Sequence, residues 1–348
     1  MTPLLKRFAK HHPTVIFLFI ILMGIFTYSI GVPFLNLVEL KTIDLRFQTR
    51  DRIAPGPEVV LAVVDEKSIA KEGKWVWPRN KFAELVTKLS EAGARVIAFD
   101  IGFLEPDDMR IVQTIEDIQN GIQNLRIQDL EIENYLKKLR IEKDNDRRLA
   151  DAIKNSKAKV VLGYFFQINR NNAGHMTEEE IRFHQANITN SKYNVEHYSS
   201  SQAQKVPLVE PVYPQSNIRK ISSVAPLSGY FNMYPDSDGV VRWLPAALKF
   251  RDVLYAPLSL AVVKAFLDHP LKIMIDDYGV REIQLGKLTI PTDEQGRVLI
   301  NYRGEEKSFP HIPLTDILHG KVPNSKFKDK IVLVGATAIG IYDLRVTP

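Results

Sequence analysis

The chain has 348 residues, 45% of them hydrophobic and 25% charged, which is ample material for one large domain or two ordinary ones. It has no cysteine, which excludes a disulfide, a thiolate metal site and a cysteine nucleophile. The net charge of +5 gathers at the start, where Lys6, Arg7 and Lys10 stand without an acid before residue 13; the remainder is nearly balanced, unlike a nucleic-acid binder.

Residues 14 to 40, "TVIFLFIILMGIFTYSIGVPFLNLVEL", open with 19 residues that carry no charge. About 20 apolar residues cross a hydrocarbon core as a helix. A cleaved signal peptide is the alternative, but the stretch is long and no small-x-small cleavage site follows it. The reading is therefore a transmembrane helix over 14–33. Its basic flank puts residues 1–13 in the cytoplasm by the positive-inside rule, so residues 34–348 lie outside it, anchored by a single pass in the inner membrane.

Residues 34 to 50 keep a helical rhythm and end near "APGP". "EVVLAVVD" then reads as a strand buried on both faces, "RNKFAELVTKLSEAG" as an amphipathic helix ending at Gly93, and "ARVIAFD" as a second strand. That order makes a βαβ unit. Helix and strand recur in "DRRLADAIKNSKAKVVLGYFF", with a later helix in "PLSLAVVKAFL" and a strand in "DKIVLVGAT". The fold class is α/β, with a mixed, largely parallel sheet and flanking helices.

Two insertions interrupt this order. In 107–142, Ile111, Ile115, Ile118, Ile122, Leu125, Ile132, Leu136 and Leu139 follow three- and four-residue steps, with Asp129 in the one gap. The pattern predicts one long helix, able to pair with another helix or to lie on its own domain. Residues 169–206 are polar with little periodicity and read as a loop.

Several residues are candidates for a ligand site. Asp65 and Asp100 end buried strands, where ligands of open α/β sheets sit; capping of the next element is the alternative use. "WVWPR" follows the first strand. Trp75 and Trp77 with Arg79 offer either an aromatic wall with an anion anchor, or a seal in which Arg79 pairs with Asp65 or Asp100 and Trp243 joins the cluster. "PDSDGVVRW" half-matches a calcium loop but reads better as a tight turn at Gly239, with Asp238 and Arg242 in pairing range. "GATAIG" lacks the Lys-Ser/Thr of a phosphate loop, and His311 and His319 read as loop residues. No zinc spacing, G-x-S-x-G or complete catalytic set is present, so no cofactor, metal or catalytic residue is assigned.

Taken in order, "DLRF", "VVLAVVDEKSI", "WVWPR", "GARVIAFDIGFLEPD", "DRRLADAI", "VVLGYFF", "DSDGVVRWLP", "GRVLINYRG" and "KIVLVGATAIGIYDLRVTP" resemble the type-two CHASE domain, a sensory extracellular module of bacterial receptors. The resemblance covers about residues 40 to 348. It implies a sensor that controls a nucleotide cyclase or a kinase, and it places further membrane helices and that effector beyond residue 348. The partners expected are the membrane, a second copy in a homodimer, and a small-molecule or protein signal that the resemblance does not name. No binding residues carry over from it. Two other readings stand beside the sensor: an anchored structural or interaction module, and a periplasmic hydrolase that uses Asp65, Asp100 and a metal.

Overall fold

The computed structural model describes residues 3–348 except 31–32, 108, 126–128, 170–173, 175, 207, 340 and 342–346; side chains before residue 13 and at 28, 30 and 33 are also outside the description. Part of the span expected at 14–33 and most of "IYDLRVTP" therefore fall outside it. Among the described residues no helix is long and apolar enough to cross a membrane. Within α1 (Pro3–Ile30), Val15, Phe17, Phe19, Ile20 and Leu22 all stand exposed, so apolar side chains leave the helix in every direction. Thr27 returns its hydroxyl to the carbonyls of Met23 and Gly24, both at 2.9 Å. The helix expected at 34–50 is α2 (Pro33–Thr49), with proline in its first turn, where a missing N–H is tolerated.

The main sheet forms from the continuous apolar runs. Its strands are β1 (Val59–Val64), β2 (Val96–Phe99), β3 (Lys159–Gln167), β5 (Tyr213–Gln215), β6 (Leu227–Tyr230), β14 (His311–Pro313) and β15 (Ile331–Ala336). They lie in the order β14-β1-β15-β2-β3, with β6 and β5 on the far edge of β3. All pairs are parallel except β3 with β5. Alternation explains the unbroken apolar sequence of the strands. In β2, Ile97 and Phe99 join the core under α4 (Arg79–Glu91), α7 (Asn145–Asn155) and α11 (Leu314–Leu318). Val96 and Ala98 face the other way, against Ala261, Val262 and Ala265 of α10 (Leu258–Leu267). Short α3 (Glu66–Glu72) follows β1, and α9 (Arg219–Ser222) packs beside α7.

The long helix expected over 107–142 is two helices, α5 (Arg110–Asn124) and α6 (Leu130–Lys143), which pack on each other as a hairpin. Asp129, the acid in the apparent gap, starts α6: its Oδ1 accepts from Glu131 N at 2.9 Å and Ile132 N at 3.2 Å. The periodic seam also divides. Val112, Ile115 and Leu136 are buried, whereas Ile111, Ile118 and Leu125 face outward.

The expected polar loop at 169–206 is likewise structured. It contains α8 (Glu178–Ala186), opened by a capping box between Thr177 and Glu180, and β4 (Val195–Tyr198). β4 pairs in parallel with β10 (Leu271–Asp276), a partner more than seventy residues further on. β11 (Gly279–Leu285) and β12 (Leu288–Pro291) complete this second sheet in the order β12-β11-β10-β4. Two small pairs remain, β8 (Leu248–Phe250) with β9 (Val253–Tyr255) and β7 (Trp243–Pro245) with β13 (Arg297–Leu299). Tyr164, Phe166, Tyr230 and Tyr255 pack as an aromatic cluster where the main sheet meets the β8–β9 pair.

Close approach of backbone fixes one glycine. A Cβ on Gly229 in β6 would stand 2.5 Å from Leu258 Cα at the start of α10. Gly229→Ala should therefore destabilise the protein by about 1–3 kcal/mol through overpacking. Gly121 in α5 faces open space, and Gly121→Ala should stabilise by roughly 0.5–1 kcal/mol. Urea midpoints of the two variants check both signs.

Candidate functional site

In α2 the half-buried or buried side chains are Leu40, Ile43, Asp44, Phe47 and, just past its end, Arg50. Steps of three and four residues place them on one face, which lies on the body of the domain. An acid in the middle of such a stripe needs a partner, since a buried carboxylate without one is costly. The partner is Arg242, whose side chain is fully buried.

Arg242 meets three carboxylates. Nε donates to Asp44 Oδ1 and Nη2 to Asp44 Oδ2, each at 2.7 Å, a two-pronged grip that matches guanidinium to carboxylate. Nη1 donates to Asp236 Oδ2 and to Asp238 Oδ1, both at 2.9 Å, and Nη2 also reaches Asp238 Oδ2 at 2.8 Å. Lys41, three residues before Asp44, adds bonds of 3.2 Å to Asp44 and 3.0 Å to Asp238. Two cations thus face three acids. The Arg242 hydrogen bonds hold the carboxyls of Asp44 and Asp238 below the usual range, with Lys41 adding to both. The acids in turn raise Arg242, Asp238 foremost.

The turn that delivers two of these acids is local. Gly239 takes φ of 82°, its N–H donates to Asp236 O at 2.9 Å, and Asp236 N donates to Val240 O at 2.8 Å. Below the ion cluster, Phe47 meets Tyr302 edge-on at 5.9 Å, and the Arg50 guanidinium lies 4.6 Å over the Phe47 ring. Arg50 also donates to Tyr302 O, and the Tyr302 hydroxyl donates to Val241 O at 2.7 Å. Segments near residues 44, 240 and 302 therefore close on one helix face.

The other candidates lie elsewhere. Trp77 is enclosed, its indole N–H donating to Gly73 O at 2.8 Å, and half-buried Trp75 meets it edge-on at 5.7 Å. Both pack toward Phe82, which touches Phe99 and Phe103. Buried Arg79 lies over Phe103 at 5.4 Å, donates to Glu105 O at 2.9 Å and stands 3.8 Å from Asp146. Its acid partner is thus Asp146 rather than Asp65 or Asp100, because the start of α7 packs against the start of α4. Burial raises the Asp146 carboxyl, against the pull of Arg79. Trp243 stays outside the cluster, under the Arg297 guanidinium at 5.0 Å.

Asp65 caps α3, its Oδ1 accepting from Ser68 N at 2.8 Å. Asp100 ends β2 with exposed surface but deep among protein atoms, and that loss of water raises its carboxyl. Strand β15 runs between β1 and β2, so the two acids sit two inter-strand spacings apart, about 10 Å. Asp65 spends its carboxylate on the cap of α3, and the Asp100 side chain lies against Gly335 of the intervening strand. After β15, Thr337 N and Ala338 N donate to Val64 O, and Ile339 N donates to Glu66, so these amides of "GATAIG" are engaged within the protein. His311 opens β14 rather than a loop, and His319 follows α11 with Nε2 at 2.9 Å from Glu72.

A family model described as the CHASE2 domain matches residues 4–348. The chain belongs to the CHASE2 family. CHASE2 domains are extracytoplasmic sensor domains of receptors. No curated protein and no solved structure matches the chain.

In this CHASE2 domain, sequence reasoning found Asp238 and Arg242 and their pairing, but missed Asp44 and Lys41. The available signal was an acid on the inward stripe of an otherwise apolar helix face. Asp44→Asn removes one charge of the grip and should cost roughly 2–4 kcal/mol of stability. Because the Asp44 and Asp238 carboxyls are depressed in the folded state, their contribution is complete above the unfolded value near ~4 and vanishes as pH falls through the folded values. Melting temperature should therefore fall more steeply below roughly pH 4 in the unaltered protein than in Asp44→Asn. Equal slopes would mean that the Asp44 carboxylate contributes nothing.

Proposed function

We propose that this CHASE2 domain is the signal-input part of a membrane receptor, anchored by α1 and controlling a nucleotide cyclase or a kinase carried outside this sequence. The observation that carries the reading is the Arg242 cluster. It fastens α2, the helix that follows α1, to the body that would receive a signal. The exposed apolar side chains around α1 support the anchor, since water is a poor environment for such a surface. A signal acts only if it favours one arrangement of the body over another, and a fastened α2 must follow that choice.

The receptor works as a pair of copies in this reading. On the hairpin, Ile111, Ile118 and Leu125 are 57%, 47% and 73% exposed at seven-residue intervals, and Leu130 and Tyr135 continue the apolar surface onto α6. Glu116 pairs with Arg140 at 2.7 Å across the hairpin, so α5 and α6 present that apolar surface as one unit. The full chain in detergent should sediment as a dimer, and the combined change Ile118→Glu with Leu125→Glu should make it monomeric. A monomeric unaltered chain would remove the pair from the reading.

The absence of cysteine offers a clean test of topology. Tyr278 is 86% exposed, so Tyr278→Cys should react with a membrane-impermeant maleimide in cells whose outer membrane alone is permeabilised. Thr2→Cys should react only after lysis. The reverse pattern would overturn the orientation, and labelling of both sites before lysis, or of neither, in the same permeabilised cells would overturn the anchor.

A further inference from the structure

Lys264 lies in the last turn of α10, half-buried, and among the described residues no carboxylate comes within ion-pair distance of its ammonium. Carbonyl ends of the helix offset part of that charge, but a counter-ion is missing. Burial pushes the amine below its ordinary value, with no partner acting the other way.

The lysine lines a cleft of about 380 Å³ between the lower edge of the main sheet and the second sheet. That volume falls at the small end of the range for small-molecule sites, about 300–1,000 Å³. Pro226, Leu227, Ala265 and Pro270 give the cleft apolar walls. Asn194 also lines it; its Oδ1 accepts from Leu271 N at 2.9 Å, and among the described residues its side-chain N–H₂ has no acceptor.

Among the described residues the one acid lining the cleft is Asp268, and it is already taken. Lys159 bonds to it directly, and Arg95 and His269 act on it from the side, so its carboxyl is held below the usual range. The surroundings therefore carry more positive than negative charge. One unpaired ammonium, an amide donor and hydrocarbon walls define the missing occupant: a single negative charge at one end and a short apolar body at the other.

We infer that the Lys264 cleft binds a small monocarboxylate with a short hydrocarbon part. This deepens the sensor reading by naming a ligand class, but binding can be measured without any output. Its failure would leave the Arg242 cluster and the anchor untouched, and a failed topology test would leave the cleft untouched.

Calorimetric titration of the full chain in lipid nanodiscs with butyrate tests it, with butyramide as the neutral analogue and sulfate as a competing anion. Saturable one-to-one binding of butyrate is expected, at least tenfold weaker for butyramide and for the Lys264→Met variant. The methionine variant should melt at a higher temperature than the unaltered chain without ligand, because it removes an unpaired half-buried charge at nearly constant shape. No butyrate binding, equal binding of butyramide, or unchanged binding in Lys264→Met would each overturn the proposal. Displacement of butyrate by equimolar sulfate would also overturn it, by reducing the cleft to a general anion sink.

Discussion

The buried guanidinium of Arg242 is the constraint on which the attachment of α2 depends. Without it, Asp44 would be a carboxylate on the inward face of a helix with nothing to offset its lost hydration. Without the three acids, Arg242 would be the costlier fault, a fully buried cation. Each group makes the burial of the others tolerable, so the helix, the turn at 236–239 and the segment at 241–242 come together or not at all. Phe47, Arg50 and Tyr302 extend the same contact on the apolar side and fix the direction in which α2 leaves the body. Hydrophobic packing alone would let a helix slide on such a surface, whereas a two-pronged bond has one position.

The α4–α7 side of the domain shows the other use of buried charge. Arg79 and Asp146 begin neighbouring helices, and Asp107 donates its N–H to Asp146 while accepting from Arg79 N. These bonds settle how the two helices start on the sheet, and the aromatic rings of Trp77, Phe82, Phe99 and Phe103 fill the space beneath them. The "WVWPR" segment thus turns Trp75, Trp77 and Arg79 inward and leaves Val76 and Pro78 exposed. Pro78 precedes the first turn of α4, where its lack of an N–H costs nothing.

How much of this was legible depended on sequence distance. The parallel core could be read because each of its strands is a short apolar run and each crossover helix is amphipathic, both local signals. β4 could not be, since "VEHY" has meaning only beside Leu271–Asp276, far along the chain. α8 was readable in principle: Thr177 and Glu180 spell a capping box, but the polar composition around them masked it. Asp129 was seen and misjudged, because an acid in a periodic seam looks like a flaw until the chain turns there. Position in the sheet was the hardest to foresee. Asp65 and Asp100 end consecutive strands in sequence, yet β15 arrives from the far end of the chain to separate them. At the candidate site, Arg242 and its near acids were visible as a turn, while Asp44 was hidden almost two hundred residues upstream.

The spacing of residues along α2 limits the kinds of movement this joint can transmit. A slide of one helical turn is about 5.4 Å and would carry the residue three or four places away into the position of Asp44. Those residues are Leu40 and Lys41 on one side and Phe47 and Gln48 on the other, and none of them is an acid. Rotation by one residue, about 100°, brings Ile43 or Leu45 to the guanidinium and fares no better. The clasp therefore has one register and no second notch. A ratchet is barred, and whatever passes along α2 must do so as a tilt or swing of helix and body together.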